Sequence, residues 1–517
     1  MAKYLYGASV QGIQDFIFRT NELKDIVGGS ALVQNVCSTL FEEFTFKQPC
    51  DMIVMAAGNI KCIFDDEEDC KKAVLKFPKK VMEYAPGITI SQAVVEMESD
   101  FGTAVNELEK KLRAQRNRPA KSMSVGLMGI ERSRKTGLPA VGIQKEKEKQ
   151  KDKTQKKETE QDSVKIYVDE GTLEKRKGQD ILDLCEKSFG YKPKKADVPF
   201  DIQDMISQND WIAIIHADGN SLGEQVKERG NDKEKLKEFS AKLDDATKEA
   251  AQETYKKIEE KYYDKEKQSW GSKRIPMRPI VLSGDDMTMI CRADIALDYA
   301  TWFMQSFEEK TKEKGFPLTA CAGIAYIKSS YPFYYGYNLA EALCSQAKTD
   351  AKSDKIKDKN NGTIPSCLMF HKVQSSFVEE YKEIVKKELS AGENIRFNFG
   401  PYYLKGQEQR WTVDKLKRTA NMLLNTQDSK EGNAVKSTLR RWSTAIHNDR
   451  DAALQLKQRA ETIIGNSDSD LKKLFMNMTE GEPRVNQKEK ILHYYPTYDV
   501  LSLISVTNQK TEKGGRK

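Results

Sequence analysis

Strand and helix periods run twice through one order between residues 3 and 372, and few folds accept that order. Residues 3–10 alternate as a short strand, and a helical pattern follows, with Ile13, Phe16 and Ile17 on one face. Residues 52–57 and 61–64 read as a hairpin across Gly58-Asn59. Residues 74–84 read as a helix, 88–95 as a strand and 103–112 as a helix. The pattern recurs from Trp211. A strand to Asp218 leads into a short helix over 221–228 and a long one over 231–262. In the long helix Leu236, Phe239, Leu243, Ala246, Ala250, Tyr255, Ile258 and Tyr262 keep helical spacing. Strands over 280–282 and 287–291, a helix over 293–313, a strand over 318–327 and a helix over 339–352 complete it. The order β-α-β-β-α-β is that of a ferredoxin-like unit. The chain is thus expected to hold two copies of it.

At 517 residues the chain exceeds one compact core, and two to four domains are expected. Residues 118–142 are loop-rich, and 144–163 are almost entirely Lys, Glu, Gln, Asp and Thr. That run cannot bury a core and reads as a disordered or lone-helix linker. Residues 164–168 add a strand and 172–189 a helix. Beyond residue 372 the pattern is helical, with Leu416, Ala420, Leu423 and Leu424 forming one apolar face. The fold class is therefore α+β: two ferredoxin-like units and a C-terminal helical bundle. The expected boundaries are 1–130, a charged linker region 131–208, a second unit 209–372 and helices over 373–517.

Charged residues make up 32% of the chain and the net charge is +7, which permits contact with nucleotides without demanding it. No apolar run approaches the roughly 20 residues of a membrane span, and the first residues enter a strand directly. A cytoplasmic location is expected. The nine cysteines are scattered and include no C-x-x-C pair, which argues against disulfides and zinc ribbons and for core packing.

Chemistry is concentrated in the second unit. The apolar strand from Trp211 ends in His216-Ala217-Asp218-Gly219-Asn220-Ser221. A second apolar strand ends in Ser283-Gly284-Asp285-Asp286. Asp218 alone could be a helix N-cap, and Gly-Asp could be a type I′ hairpin turn. Together, three carboxylates on neighbouring strands repel one another unless a cation offsets them. We therefore expect Asp218, Asp285 and Asp286 to bind two Mg²⁺ or Mn²⁺ ions and to be catalytic. One ion would activate an attacking 3′-hydroxyl and the other would neutralise a leaving pyrophosphate. Gly219 leaves room for a phosphate, and the amides of residues 219–222 point from a helix start. Lys348 and Lys352 share a helix face. One could meet a triphosphate, or both could be a solvated basic face. Gly28-Gly29-Ser30 could cradle a nucleotide or form a helix–loop–helix corner, with Ser30 capping the second helix. His216 shares a face with Asp218 by alternation and reads as a hydrogen-bonded sheet histidine. Asn59 and Lys61 occupy the corresponding hairpin of the first unit, so no metals are expected there.

The residues 11–17 and 24–30, written Gln-Gly-Ile-Gln-Asp-Phe-Ile and Lys-Asp-Ile-Val-Gly-Gly-Ser, resemble the opening of the first palm in the large subunit of type III CRISPR effector complexes. His216 to Gly223, Leu282 to Asp286, Ala322 to Tyr326, Tyr331-Pro332-Phe333 and Ala347-Lys348 are similar to its second, catalytic palm. The resemblance covers about residues 3–372. It implies two facing palms with ATP between them, joined by 3′-5′ bonds into cyclic oligoadenylates when target RNA is bound. By position it makes Asp218, Asp285 and Asp286 the metal ligands, places Gly284, Asn220 and Ser221 along the nucleotide, and sets Lys348 on phosphate. Ser283 stands where the family's catalytic turn has its first Gly, so Ser283 and Gly284 complete the turn. No His-Asp dyad precedes the first palm and only four histidines exist, so a reduced form without the nuclease domain is expected.

The expected activity is that of a metal-dependent nucleotidyltransferase, a cyclic oligonucleotide synthase using ATP. Expected partners are nucleotides, guide and target RNA and other CRISPR effector subunits, with no membrane; a homodimer is allowed. The alternatives are a catalytically silent ribonucleoprotein scaffold, a stand-alone palm enzyme making another cyclic nucleotide, and a template-using polymerase.

Overall fold

The computed structural model describes residues 3–45, 50–56, 58–97, 100–118, 128–147, 163–177, 181–206, 210–353, 356, 360, 362–375, 380–407, 410–425, 430–464, 469–485 and 490–507. Most of the charged run, 148–162, lies outside these residues. The chain divides into two compact units, Met1–Glu186 with Gly223–Asp244, and Lys187–Leu222 with Asp245–Lys517.

In the first unit the strands are β1 (Tyr4–Gln11), β2 (Asp51–Ala56), β3 (Asn59–Phe64) and β4 (Thr89–Glu96). Their order across the sheet is β2-β3-β1-β4, with every pair antiparallel. This is the ferredoxin-like arrangement, with the first strand in the middle. The apolar positions of β1 explain its place: Leu5, Tyr6 and Ala8 are buried. Helices α1 (Ile13–Ile17), α2 (Leu23–Val36) and α3 (Thr39–Thr45) join β1 to β2. Helices α4 (Glu67–Tyr84) and α5 (Phe101–Arg116) flank β4. Leu5, Ile53, Val95, Leu108 and Leu112 form one cluster, joined by Leu236.

The expected break at Gly28-Gly29-Ser30 is absent, because α2 runs through all three residues and starts after Glu22 rather than at Ser30. A Cβ at Gly28 would lie 1.8 Å from the Lys175 carbonyl oxygen. The bare backbone lets α6 (Glu170–Lys177) pack directly on α2. The helix-breaking tendency of two glycines, about 1 kcal/mol each, is offset there by close packing. Asp25, fully buried on α2, accepts two hydrogen bonds from the Arg176 guanidinium of α6. A hairpin of β5 (Gly142–Lys147) and β6 (Ser163–Val168) precedes α6. The single helix expected over 172–189 is instead α6 and α7 (Asp183–Phe189).

The second unit is built on a six-stranded sheet. Its strands are β7 (Trp211–Gly219), β8 (Met277–Ser283), β9 (Asp286–Arg292), β10 (Ala320–Lys328), β11 (Cys367–Lys372) and β14 (Tyr402–Tyr403), in the order β14-β11-β10-β7-β9-β8. The four strands β10-β7-β9-β8 repeat the order of the first unit. Helix α8 (Leu222–Arg229) and α9 (Lys233–Tyr262) link β7 to β8, and α9 belongs to the second unit from Asp245 onward. Helices α10 (Ala293–Glu313) and α11 (Phe333–Ala351) pack on the sheet. Residues 212–215 of β7 are fully buried, as an all-apolar central strand should be. The C-terminal part is mostly helical, as expected, with helices Val413–Asn425, Lys430–Asn448, Arg450–Ile464, Ser469–Thr479 and Thr497–Thr507. It also holds a small sheet in the order β12 (Ser390–Ala391), β13 (Ile395–Arg396), β16 (Ile491–Tyr494), β15 (Glu482–Val485). All nine cysteines are free and all but Cys50 are buried. Among the described residues no helix is long and apolar enough to cross a membrane.

Candidate active site

The site grows out of the pairing of β7 with β9. The ladder sets Ala217 opposite Met287 and His216 opposite Thr288. One step further, Asp218 faces Asp286. Side chains alternate along each strand, so His216, Asp218, Thr288 and Asp286 stand on one face of the sheet. Ligand atoms of His216, Asp218 and Asp286 all lie within 4.8 Å of one another.

Asp285 arrives by a different route. Ser283 pairs with Asp286, so Gly284 and Asp285 form a two-residue hairpin loop. Gly284 has φ 63°, whereas Asp285 is not left-handed. Glycine at the first loop position alone fits a type II′ turn rather than a type I′ turn. The Thr247 hydroxyl of α9 donates to the Gly284 carbonyl and fixes the loop. A Cβ on Gly219 would stand 2.8 Å from the Asp285 Cβ, so glycine at 219 is what lets the end of β7 approach this turn.

Helix α11 supplies the cation. Gly323 of β10 lies opposite His216 in the ladder. A Cβ there would be 1.9 Å from the Ala340 carbonyl oxygen and 2.6 Å from the Cys344 amide. The missing side chain draws α11 onto this face. Tyr337, Glu341, Cys344 and Lys348 then line up at helical spacing. The Tyr337 ring meets His216 edge-on at 5.6 Å. Lys348 Nζ donates to Asp218 Oδ2, and to the Gly219 carbonyl at 2.8 Å. Of the two lysines on this helix face, it is thus Lys348 that reaches the acids.

The loop after β7 is held rigidly. The Asn220 amide donates to the Thr319 carbonyl at 2.8 Å. Its side-chain Nδ2 donates to Thr319 Oγ1 at 2.9 Å and to Cys321 Sγ at 3.4 Å. Its Oδ1, buried, has no hydrogen-bond partner. Ser221 follows with φ 61°, a left-handed conformation that a non-glycine residue adopts at some energetic cost.

The electrostatics follow from burial of acids beside acids. Burial, then the Asp218 charge, pushes Asp285 up to about 7. Burial, then the charges of Asp285 and Asp218, pushes Asp286 up to about 8. Burial, then Asp218, also raises Glu341. Burial works against the Lys348 charge, but Asp218 more than offsets it and its pKa ends raised. Burial lowers His216 to about 4, so its ring is neutral. A divalent cation would relieve the repulsion among the carboxylates. Oxygen donors converging within ligand distance, an unpartnered carbonyl oxygen and a neutral imidazole fit such an ion.

Sequence reasoning placed Asp218, Asp285 and Asp286 together, and in the structure they are together. It took His216 as a hydrogen-bonded sheet histidine. The hydrogen bond exists, between Nδ1 and Thr288 Oγ1 at 3.3 Å, but the ring also belongs to the acidic group. Thr288 and Glu341 were not foreseen; the spacing of α11 residues from Lys348 was the available signal. In the first unit Asn59 accepts from Ser9, and Lys61 pairs with Glu109 at 2.6 Å. Among the described residues no acidic group corresponding to that of the second unit is found there.

Residues 211–357 match the family model described as the Cas10/Cmr2 second palm domain. No curated protein matches the chain. Among solved structures, the Csm1-Csm4 cassette in complex with cA4 is similar with a TM-score of 0.54 and 14% identity, covering 98% of this chain and 70% of that chain. The cassette in complex with pppApApA gives a TM-score of 0.55 at 14% identity, over 98% and 69%. The cassette with AMPPNP gives 0.50 at 15%, over 98% and 70%. At such identity these likenesses speak to the fold, which is α+β. Residues 211–357 are thus similar to the Cas10/Cmr2 second palm, within a chain of α+β fold.

Proposed function

We propose that the chain is a metal-dependent nucleotidyltransferase that joins ATP through 3′-5′ bonds into cyclic oligoadenylates, as the large subunit of a type III CRISPR-like defence complex. The observation that carries this reading is the convergence of Asp218, Asp285 and Asp286 at the ends of β7 and β9, with two of them displaced far above ordinary carboxylate pKa values. Perturbed acids gathered around one point mark functional sites more often than structural ones. The match to the Cas10/Cmr2 second palm, and a fold shared with proteins solved with cA4 and AMPPNP, support the choice of reaction and nucleotide.

In this mechanism Asp218, Asp285 and Asp286 hold Mg²⁺ or Mn²⁺, and two ions are the expected number. Bound there, the ions would lower the pKa of an attacking 3′-hydroxyl and neutralise charge on the leaving pyrophosphate. Lys348, now on Asp218, exchanges that partner for a phosphate. The Asn220-Ser221 loop, held against Thr319, and the Ser283-Gly284 turn border the nucleotide. Gly28, Gly29 and Ser30 are left out of this site, because α2 runs through them and the Lys175 backbone covers Gly28. Partners are guide and target RNA and other effector subunits.

The test is the double substitution Asp285→Ala with Asp286→Ala. It should abolish product formation from ATP while thermal unfolding remains cooperative. Full turnover in the double variant would disprove the metal assignment.

A further inference from the structure

We infer that His216 supplies a nitrogen ligand to the cation held by Asp218 and Asp286, and that this nitrogen tilts the site toward Mn²⁺ over Mg²⁺. The inference rests on the reading of those two carboxylates as cation ligands.

Three observations carry it. First, the register places the ring directly beside the acids on one sheet face, with ligand atoms of all three residues within 4.8 Å. Second, the ring is 8% exposed and is held from both sides. The Thr288 hydroxyl sits 3.3 Å from Nδ1, and Tyr337 packs edge-on at 5.6 Å. Among the described residues nothing else hydrogen-bonds the ring, so Nε2 has no protein partner. A hydroxyl on one nitrogen is the outer contact that orients a metal-binding imidazole and sets its tautomer. Third, the side-chain oxygen of Asn220, two residues after Asp218, is buried and lacks a partner.

The consequence is chemical. Mg²⁺ is hard, prefers six oxygen ligands and keeps its waters. Mn²⁺ tolerates an imidazole beside carboxylates and binds mixed nitrogen–oxygen sets more readily. A three-carboxylate site would discriminate weakly between the two. One nitrogen in the set raises the affinity for Mn²⁺ and adds little for Mg²⁺. Lys348 bonds Oδ2 of Asp218, which leaves the other carboxylate oxygen of that residue for the ion.

The experiment uses the full chain without nucleotide. Mn²⁺ binding is followed by loss of the free-ion electron paramagnetic resonance signal, Mg²⁺ by competition, and the coordinated nitrogen by electron spin echo modulation. Wild type should show modulation from a directly bound ¹⁴N. His216→Gln should lose it and should weaken Mn²⁺ binding about tenfold or more, with Mg²⁺ affinity changed less than about twofold. Mn²⁺ bound by wild type without ¹⁴N modulation, or an unchanged Mn²⁺/Mg²⁺ ratio in a folded His216→Gln, overturns the inference and leaves the carboxylate site standing. Mn²⁺ binding with the ¹⁴N signal intact in Asp218→Asn/Asp286→Asn overturns the carboxylate reading, and this inference with it. The wild-type measurement alone decides the matter if His216→Gln does not fold.

Discussion

Replacing Asp286 by Asn should stabilise the metal-free protein above neutral pH and flatten its pH dependence. Burial, then the Asp285 and Asp218 charges, moves the Asp286 carboxyl from 3.8 to about 8. The folded state therefore binds this proton more tightly than the unfolded chain. The stabilisation is complete below about pH 4 and is lost as pH rises through about 8. At about 1.4 kcal/mol per pH unit, an isolated group with this span would account for about 6 kcal/mol. Asp285, pushed to about 7 by burial and the same Asp218 charge, shares part of that repulsion. About half, or 3 kcal/mol, is then the share of Asp286. Asparagine cannot ionise and keeps the shape. At 2–4 °C per kcal/mol, Tm should differ by roughly 10 °C. The assay is thermal unfolding in chelator from pH 5.5 to pH 9. Wild type should lose Tm across that range relative to Asp286→Asn, and excess Mn²⁺ should restore wild type more than the variant. Parallel pH profiles for the two proteins would refute the reasoning.

Two further substitutions probe the scaffold. Gly323→Ala forces a Cβ into the α11 backbone and should destabilise the protein by about 1–3 kcal/mol, whereas Gly223→Ala, with nothing within 4 Å, should change stability by well under that; equal denaturant midpoints for the two would show that α11 is not held by this contact. In the first unit Arg176→Met leaves the buried Asp25 carboxylate with the Thr20 hydroxyl but no cation, and should cost about 3–5 kcal/mol, read as a lowered denaturant midpoint; an unchanged midpoint would mean that Asp25 does not need the guanidinium.

The carboxylates were legible because acids at the ends of otherwise apolar strands are costly and invite a cation. The twofold β-α-β-β-α-β order was legible because periods of two and 3.6 alternate cleanly along both copies. Other features were hidden by packing between elements distant in sequence. Gly28-Gly29 reads as a break, and only the Lys175 backbone of α6, some 150 residues on, explains why α2 runs through it. Lys348 and Lys352 are equivalent by spacing; the approach of α11 over Gly323 is what brings Lys348 to Asp218. His216 was placed on the correct face by alternation, but that its second nitrogen lacks a partner is a fact about neighbours. The C-terminal sheet escaped notice because two of its strands are two residues long and have no period to read.

The central claim is that this palm makes cyclic oligoadenylates from ATP. The most direct measurement is incubation of the full chain with ATP and Mg²⁺ or Mn²⁺, with and without RNA, followed by mass spectrometry of the products. The account predicts pyrophosphate release and cyclic 3′-5′ oligoadenylates that disappear in the Asp285→Ala/Asp286→Ala variant. ATP bound but returned unchanged under every metal and RNA condition would contradict it and would leave a silent scaffold as the reading.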